Sequence, residues 1–266
     1  MKKDRFLDPE DFNRSYPVSG VEIYGGLVKV TRYSRSESRR GNDMSHKPQN
    51  EQVVEFSKRS RVRMLATLAM SKNEMRSLMT LTYGVNYPLS GKVSKGDLNS
   101  LLTRFRYRYG GHPYFWFMEF QRRGAPHYHI LTDVVPGNAD REWLGRVWAN
   151  VLHRNEDWLY SNVKDGTTHV TRLAVMAVHG HPRSWEMIRT ENGAIRYLSK
   201  YAYKPKQKKV PKEYRDCGRF WGASSGFCKK EPDIAMDMTE DEVRMLLSAK
   251  GIDTSGWEIL PKYCFT

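Results

Sequence analysis

The chain of 266 residues has a formal net charge of +14, and 39% of its residues are hydrophobic, which is enough to bury a sizeable core. The positive charge favours a polyanionic partner, nucleic acid first and an anionic membrane surface second. No apolar run approaches the roughly 18 residues of a membrane span, and no stretch of signal-peptide type follows the first lysines. The cysteines, odd in number and without CxxC spacing, fit neither a disulfide framework nor a zinc knuckle, so a reducing cytoplasm is the simplest compartment.

Composition divides the chain into three segments. Residues 1–56 are polar and are expected to be partly flexible, although residues 21–30 are apolar enough for a short strand or hairpin. Residues 57–230 are expected to form the main domain. Residues 231–266 carry 8 acidic against 3 basic side chains and are expected to form a small acidic appendage, in which a capping box over residues 239–242 opens a short helix.

The first half of the main domain alternates helical and extended patterns. Apolar residues at helical spacing after Ser57 predict an amphipathic helix, and residues 78–83 predict a strand. Asp97 is expected to cap a second helix, whose polar face carries Arg104 and Arg106 among tyrosines; these two arginines are candidate DNA-binding residues. Further along, residues 140–152 predict a core helix and residues 168–178 a strand.

Between these elements, two aromatic and β-branched runs flank a loop with Gly124 and Pro126, a pattern typical of a β-hairpin. With residues 122–126 as the loop, Gln121 would lie opposite His127, and Glu119 opposite His129. Side chains alternate between the faces of a strand, so all four would share one face, with opposed Cβ atoms about 5 Å apart. Two imidazoles and a carboxylate at one point predict a metal site formed by Glu119, His127 and His129.

Other interpretations of these residues remain open. An HxH pair arises by chance, and Gln121 lies on the same face as Glu119; in some members of the family that this site resembles, as described below, a residue at this position replaces the acidic ligand. A second pair, His179 and His181, has a glycine between its histidines, no acid nearby and a proline after it, which argues for a loop rather than a metal-binding strand.

Residues 193–204 predict a helix that ends before Pro205. Its stripe at i, i+3, i+4 and i+7 consists of phenols and ammonium groups: Tyr197, Lys200, Tyr201 and Lys204. Each tyrosine is a candidate nucleophile with a lysine three residues later to stabilise a phenolate or a phosphate. The alternative is a pair of half-buried tyrosines with solvated lysines.

Residues 196–230 concentrate the positive charge, with 11 Lys and Arg against 2 Asp and Glu. Aromatic residues lie among these cations, as in Phe220 and Trp221, and this mixture favours nucleic acid. The candidate DNA-binding residues of this segment are Lys206, Lys208, Lys209 and Arg219.

The triplet His127-Tyr128-His129, followed by the doubled YxxK of residues 197–204, resembles the HUH endonuclease superfamily. More narrowly, it resembles the two-tyrosine rolling-circle replication initiators of phages and plasmids, whose first motif is similar to residues 78–82. This resemblance spans roughly residues 57–225. It implies an α+β fold with a central antiparallel sheet of about five strands flanked by helices.

The same resemblance implies an activity and its cofactor. Mg²⁺ or Mn²⁺ would bind at the histidines, with Glu119 in the position of the usual acidic ligand. The enzyme would nick one DNA strand at an origin, keep a 5′-phosphotyrosine link, free a 3′-hydroxyl primer and later rejoin the strand. The sequence contains no GxxxxGK[ST] motif, so a host helicase and a host polymerase in the bacterial cytoplasm would be needed.

Which tyrosine opens a round is a finer question. Tyr201 lies deeper in the predicted helix than Tyr197 and farther from its fraying first turn, so we favour Tyr201 for initiation. A relaxase or a single-strand transposase would use the same chemistry on other substrates. A non-catalytic DNA-binding regulator is a different class of protein, in which Tyr197 and Tyr201 would be dispensable.

Overall fold

The structure, a computed structural model, describes residues 19–24, 27–32, 55–71, 74–84, 86–153, 172–189, 194, 197–198, 210–227, 230–255 and 262–265. The chain forms two compact units, residues 46–230 and residues 1–45 together with 231–266. The described strands are β1 (Ser19–Tyr24), β2 (Leu27–Arg32), β3 (Ser77–Thr82), β4 (Tyr114–Phe120), β5 (Pro126–Thr132), β6 (Trp185–Met187), β7 (Trp221–Ala223), β8 (Ile234–Met238) and β9 (Tyr263–Phe265). The described α-helices are α1 (Lys58–Ala69), α2 (Gly91–Tyr109), α3 (Asn138–Leu152), α4 (Arg172–Gly180) and α5 (Glu240–Ala249).

A five-stranded antiparallel sheet organises the unit of residues 46–230. Its strand order is β6-β3-β5-β4-β7, and every neighbouring pair is antiparallel. The expected α+β class with a central five-stranded sheet is therefore confirmed. The predicted strand over residues 78–83 is β3, and the predicted hairpin is β4 with β5.

One face of this sheet, here called the helix face, is covered by helices. Apolar side chains from the three central strands point to it and are buried, among them Met79, Met118 and Tyr128. They share one core with Leu98 and Phe105 of α2 and with leucine, valine and tryptophan side chains of α3. Full burial of such a side chain stabilises the fold by about 1.5–3 kcal/mol, so this face holds the main core of the unit.

The start of α2 differs from the expectation. Ser90 caps the helix by accepting from the Val93 N–H at 3.4 Å, and Asp97 lies inside the helix, where it is buried and accepts from the Tyr83 hydroxyl at 2.9 Å. Both Ser90 and Asp97 are good capping residues, and the earlier one is used because the carboxylate of Asp97 has a tertiary partner. The amphipathic helix predicted after Ser57 is α1, and the Ser57 side chain caps it by accepting from the Ser60 N–H.

The predicted strand over residues 168–178 is wrong for the part that the structure describes, because residues 172–180 form α4. Strand propensity of the β-branched residues in this stretch is a weak signal that tertiary packing overrides. Here α4 packs closely along α3, where Gly145 leaves room for the backbone carbonyl of Met176.

The opposite face of the sheet, here called the histidine face, carries His127 and His129. Leu78 of β3, Phe117 of β4 and Leu131 of β5 point to this face and are buried. Trp221 of β7 pairs with Phe117 and donates its indole N–H to the Ser60 hydroxyl of α1 at 3.2 Å, so α1 approaches this face at the β7 edge.

The other unit contains a four-stranded antiparallel sheet in the order β8-β1-β2-β9. Its core joins valine and isoleucine side chains of β1 and β2 to Val243 and Leu247 of α5. The capping box of α5 has the expected form: the Thr239 hydroxyl accepts from the Glu242 N–H, and the Glu242 carboxylate accepts from the Thr239 N–H. Strands from residues 1–56 and from residues 231–266 thus share one sheet, whereas the sequence analysis treats these segments as separate pieces.

Candidate metal centre and active site

The site begins with the turn that joins β4 to β5. The Gly124 N–H donates to the Gln121 carbonyl at 2.9 Å, and the Gln121 N–H donates to the Ala125 carbonyl at 2.9 Å. Gly124 has a φ of +85°, a left-handed conformation that glycine adopts without a steric penalty. These two hydrogen bonds and the conformation of Gly124 are typical of a short β-hairpin loop with a left-handed glycine.

This turn sets a register that differs from the expected one. Glu119 lies opposite His127, and Phe117 lies opposite His129, whereas the sequence analysis expected Glu119 opposite His129. The expectation was wrong because the loop closes with Phe120 paired to Pro126, one residue earlier on each strand. A two-residue shift in pairing keeps every side chain on the same face, so the histidines and the carboxylate still converge.

Glu119, His127 and His129 form a cluster with the geometry of a metal site. Each offers one ligand atom, and these atoms all lie within 4.8 Å of one another. The His129 Nε2 atom is 3.1 Å from Glu119 Oε1, and the two imidazole rings lie 4.6 Å apart at an angle of 79°. The structure therefore brings together the three residues that the sequence analysis selected.

Burial prepares His127 to act as a ligand. Removal from water, assisted by the nearby His129 imidazole, lowers the pKa of His127 from 6.5 to about 4, although the Glu119 carboxylate acts in the opposite direction. The imidazole is consequently neutral at pH 7 and keeps a lone pair on one ring nitrogen. A neutral histidine is the form in which histidine binds metals.

Gln121 and Arg123 support His127 from the turn. The Gln121 side-chain nitrogen lies 3.3 Å from His127 Nδ1 and donates to the Thr82 hydroxyl at 3.0 Å. The Gln121 side-chain oxygen accepts from Arg123 Nε at 2.8 Å, and Arg123 Nη2 donates to the Tyr83 carbonyl at 2.7 Å. The side-chain oxygen of Gln121 already accepts from Arg123, so in this cluster the oxygen available as a ligand is that of Glu119.

Arg123 is a residue that sequence reasoning missed. It sits in the run Arg122-Arg123-Gly124, and nothing in that run distinguishes a structural arginine from a solvated one. The turn directs the Arg123 side chain back over β3, where it also donates to the Gly84 carbonyl and lies over the Tyr87 ring.

Tyr197 reaches the cluster from a helical segment late in the unit. Its hydroxyl lies 3.3 Å from His129 Nδ1, a ring nitrogen that Thr80 Oγ1 also approaches at 3.4 Å. Its ring contacts the ring of Phe117, and the adjacent Leu198 is fully buried. A phenol is thus held beside the histidine–carboxylate cluster. The other predicted members of its stripe, Lys200, Tyr201 and Lys204, lie outside the described residues.

The candidate DNA-binding residues that the structure describes are dispersed. Arg104 and Arg106 lie on α2, which packs on the helix face, so the sheet separates them from the metal cluster. Arg104 donates to the Ser100 carbonyl at 3.1 Å, and Arg106 donates to the Tyr114 hydroxyl at 2.6 Å. Arg219 is exposed beside β7. The lysines at positions 206, 208 and 209 lie outside the described residues.

His179, from the second HxH pair, has a structural role. Its Nε2 accepts from the Thr82 N–H at 3.2 Å, and its Nδ1 lies 3.0 Å from the Val175 carbonyl, to which it donates. Burial lowers the pKa of His179 from 6.5 to about 4, so this imidazole is neutral. His181 is exposed and accepts from the Arg183 N–H. Within the part of the chain that the structure describes, neither histidine belongs to a metal-binding cluster.

Comparisons with known proteins concern these same residues. The family model for the replication-associated protein ORF2 matches residues 76–206, just under half of the chain. No curated protein has a significantly matching sequence. Among solved structures, the N-terminal nuclease domain of minute virus of mice non-structural protein-1 matches at 9% identity over 71% of this chain and 92% of that chain. Its TM-score of 0.25 is too low to support an inference.

None of the helices in the described ranges is long and apolar enough to cross a membrane.

The matched family region begins one residue before β3 and extends past Tyr197, so it includes Glu119, His127 and His129. The part of the chain that builds the candidate site is therefore the part that is similar to the replication-associated proteins of the ORF2 family.

Proposed function

We propose that this protein is an initiator of rolling-circle DNA replication that nicks one strand by tyrosine attack, with residues 57–230 as its nuclease domain. The observation that carries the proposal is the Tyr197 hydroxyl, 3.3 Å from a histidine of the Glu119–His127–His129 cluster. The match of residues 76–206 to a family of replication-associated proteins supports the same activity.

The donor set fits a divalent cation. His127, His129 and Glu119 would hold Mg²⁺ or Mn²⁺, because carboxylate oxygen suits both ions and imidazole shifts the preference towards Mn²⁺. The neutral state of the buried His127 supports this assignment. When bound, the ion would supply Lewis acidity to a phosphate oxygen.

The reaction is a transesterification at phosphorus. The Tyr197 oxygen forms a bond to the scissile phosphorus as the bond from phosphorus to the 3′ oxygen breaks. The phenolic proton departs, and the leaving 3′ oxygen takes up a proton. The products are a 5′-phosphotyrosine and a free 3′-hydroxyl, which primes synthesis by a host polymerase behind a host helicase. In the reverse direction, a 3′-hydroxyl attacks the phosphotyrosine and rejoins the strand.

His129 positions the phenol for this attack. Its Nδ1 faces the Tyr197 and Thr80 hydroxyls, whereas its Nε2 faces Glu119. If His129 held the ion through Nε2, its Nδ1 would carry the ring proton and would donate towards the phenolic oxygen, where it would stabilise negative charge. Tyr201 would provide the second phenol, which ends a round, and Lys200 and Lys204 would approach the phosphate.

Single-stranded origin DNA would be held mainly by charge. We assign phosphate contacts to Arg219 and to Lys206, Lys208 and Lys209, because residues 196–230 carry most of the excess positive charge. Arg104 and Arg106 would bind DNA only if the strand continued around to the helix face.

The decisive experiment is a search for a covalent adduct. The protein is incubated with a labelled pool of random single-stranded DNA and Mn²⁺, with EDTA as the control, and is then denatured. We expect a labelled band that survives denaturation and depends on the metal. Binding without any adduct would contradict the proposal and favour a non-catalytic DNA-binding regulator in the bacterial cytoplasm. A relaxase or a single-strand transposase, which uses the same chemistry on other substrates, would also form the adduct.

A further inference from the structure

The histidine face of the sheet contains a second feature beside the metal cluster, a cavity of about 530 Å³. Its size is in the range of small-molecule and cofactor sites in proteins. Tyr197 forms part of its wall, together with residues of β3, β5, α3 and the segment around β6, among them Leu78, Leu131, Arg141, Arg183 and Arg189.

The floor of this cavity is apolar. Leu78 and Leu131 lie directly opposite each other in the register of β3 and β5, and both are almost fully buried. Leu131 is two residues after His129 and therefore points to the same face of β5. These leucines lie beneath the cavity, and the arginine side chains of its walls are the surfaces on which a nucleobase can stack.

The walls are cationic. Arg141 comes from α3, Arg183 from the 3₁₀ turn before β6, and Arg189 from the segment after β6, whereas Glu186 is the one acidic residue among the described residues of the lining. Arg141 is fixed by a bond from its Nε to the Trp185 carbonyl at 3.1 Å. Guanidinium groups bind phosphates and stack on bases, so the lining combines the two contacts that a nucleotide needs.

Tyr197 connects the cavity to the proposed reaction centre. Its side chain lines the cavity, while its hydroxyl contacts His129. A strand with its scissile phosphate at this hydroxyl would place an adjoining nucleotide within reach of the cavity, because only one sugar separates neighbouring phosphates of a single strand.

We propose that this cavity is a nucleotide subsite that receives the base next to the scissile phosphate, with that base against the arginine side chains of its walls. Arg183 and Arg189 contact the flanking phosphates, and the shape of the cavity determines which base is accepted at that position. This inference rests on the proposed function, because it takes the scissile phosphate to lie at Tyr197.

The first test measures binding without cleavage. Fluorescent single-stranded oligonucleotides of one length are titrated into the full chain in EDTA at several salt concentrations. The double variant R183Q/R189Q should reduce the slope of log K against log salt by roughly 1.4, because each phosphate contact contributes about 0.7. The control R146Q changes an exposed arginine of α3 that does not line the cavity, and it should reduce neither affinity nor slope.

The second test separates a cavity from a merely charged surface. M187W places a bulky ring at a partly exposed position of the lining without a change in charge. In the wild-type chain, strands with bases should bind about tenfold more tightly than fully abasic strands of the same length, and M187W should reduce this ratio. The control V135W adds the same ring at an exposed position outside the cavity.

The subsite requires both the smaller salt slope of R183Q/R189Q and the smaller preference of M187W for strands with bases. If the arginine pair or M187W behaves like its control, the subsite is excluded. These readouts use no metal and no cleavage, so they are independent of the adduct. A chain that forms the adduct but fails these tests keeps the proposed function and loses the subsite, whereas a chain that forms no adduct loses the proposed function whatever the binding shows.

Discussion

The Tyr197 hydroxyl and His129 Nδ1 lie 3.3 Å apart, although 68 residues separate them in the chain. The central hairpin holds His129 rigidly, because its imidazole is only 1% exposed and packs against the Phe117 ring. A nucleophile works best when it is held close to its reacting geometry, so among the tyrosines that the structure describes this contact supports Tyr197 for the proposed attack.

The first prediction concerns the linked tyrosine. The position of Tyr201 deep in the predicted helix favours Tyr201, whereas the contact of Tyr197 with His129 favours Tyr197. Peptide mapping of the trapped adduct should find DNA on Tyr197 when the chain first cleaves a fresh strand. We expect Tyr197→Phe to lose most of this first cleavage, Tyr201→Phe to retain more of it, and the double variant to form no adduct. A link mapped only to Tyr203, or to a tyrosine outside this segment, would refute the assignment.

The metal ligands give the second prediction. The double variant H127A/H129A should lose Mn²⁺ binding and cleavage, because two of the three ligands are removed, but it should still bind single-stranded DNA through the cationic segment. Electron paramagnetic resonance of free Mn²⁺ measures metal binding, and fluorescence anisotropy measures DNA binding. H181A changes an exposed histidine outside the cluster and should leave both unchanged. Cleavage that survives in the double variant would rule out this metal centre.

The third prediction tests the support that the turn gives to His127. Arg123→Ala removes the contacts that orient Gln121, and we expect Mn²⁺ affinity to fall about 10- to 100-fold, the usual effect of losing a group behind a metal ligand. Arg122→Ala is the matched control, because Arg122 is the exposed neighbour in the same turn. Equal Mn²⁺ affinities for the two variants would show that Arg123 does not position the site.

The fourth prediction concerns pH. The folded-state pKa of His179 is about 4, below the ordinary value of 6.5, so the unfolded chain binds its proton at a higher pH than the folded chain does. Stability from this residue is fully present above pH 6.5 and is lost as the pH falls from 6.5 towards 4, by about 3 kcal/mol in total. Between these pH values the slope of the unfolding free energy against pH includes nearly one proton, which His179 takes up on unfolding. H179Q should remove this contribution, and urea denaturation at several pH values measures it. H181Q should leave it unchanged, and a wild-type slope in H179Q would contradict the buried neutral state.

The fifth prediction compares two glycines. A Cβ atom at Gly145 would lie 2.5 Å from the Met176 carbonyl oxygen and 2.9 Å from the Gly180 nitrogen, so Gly145→Ala must separate α3 from α4. We expect it to lower the free energy of unfolding by about 1–3 kcal/mol. Gly96 lies inside α2 with nothing within 4 Å of its Cβ position, so Gly96→Ala should raise the free energy by about 0.5–1 kcal/mol. Chemical denaturation measures both, and changes of the same sign would contradict this packing.

Much of the fold could be predicted because its signals are local. The alternation of Phe117 and Glu119 with His127 and His129 identifies a shared face, and this conclusion holds for any register error of two residues. The register itself could not be predicted, since it depends on whether the loop closes at Phe120 or at Gln121, and both choices bury the same apolar side chains. The start of α2 was misplaced because Ser90 and Asp97 are equally good caps, and only the tertiary contact with Tyr83 distinguishes them.

The ligands of the site could be found from sequence, but the groups around them could not. Arg123 and Thr80 contact the site only in the folded chain, and no local sequence pattern predicts these contacts. His179 was recognised as an unsuitable ligand, yet its role as a neutral partner of the Thr82 backbone requires the packing of α4 near the end of β3. The cavity beside Tyr197 collects residues from several separate segments, and no spacing in the sequence connects them.

The four-stranded sheet has a consequence for anyone who wishes to shorten this chain. Strands β1 and β2 lie near one end of the sequence and pair with β8 and β9 near the other, so the unit of residues 46–230 is an insertion within a discontinuous unit. Deletion of residues 231–266 alone would strip β1 and β2 of both outer partners and of the α5 side chains that cover their valines. A minimal fragment must therefore discard both terminal segments together or retain both.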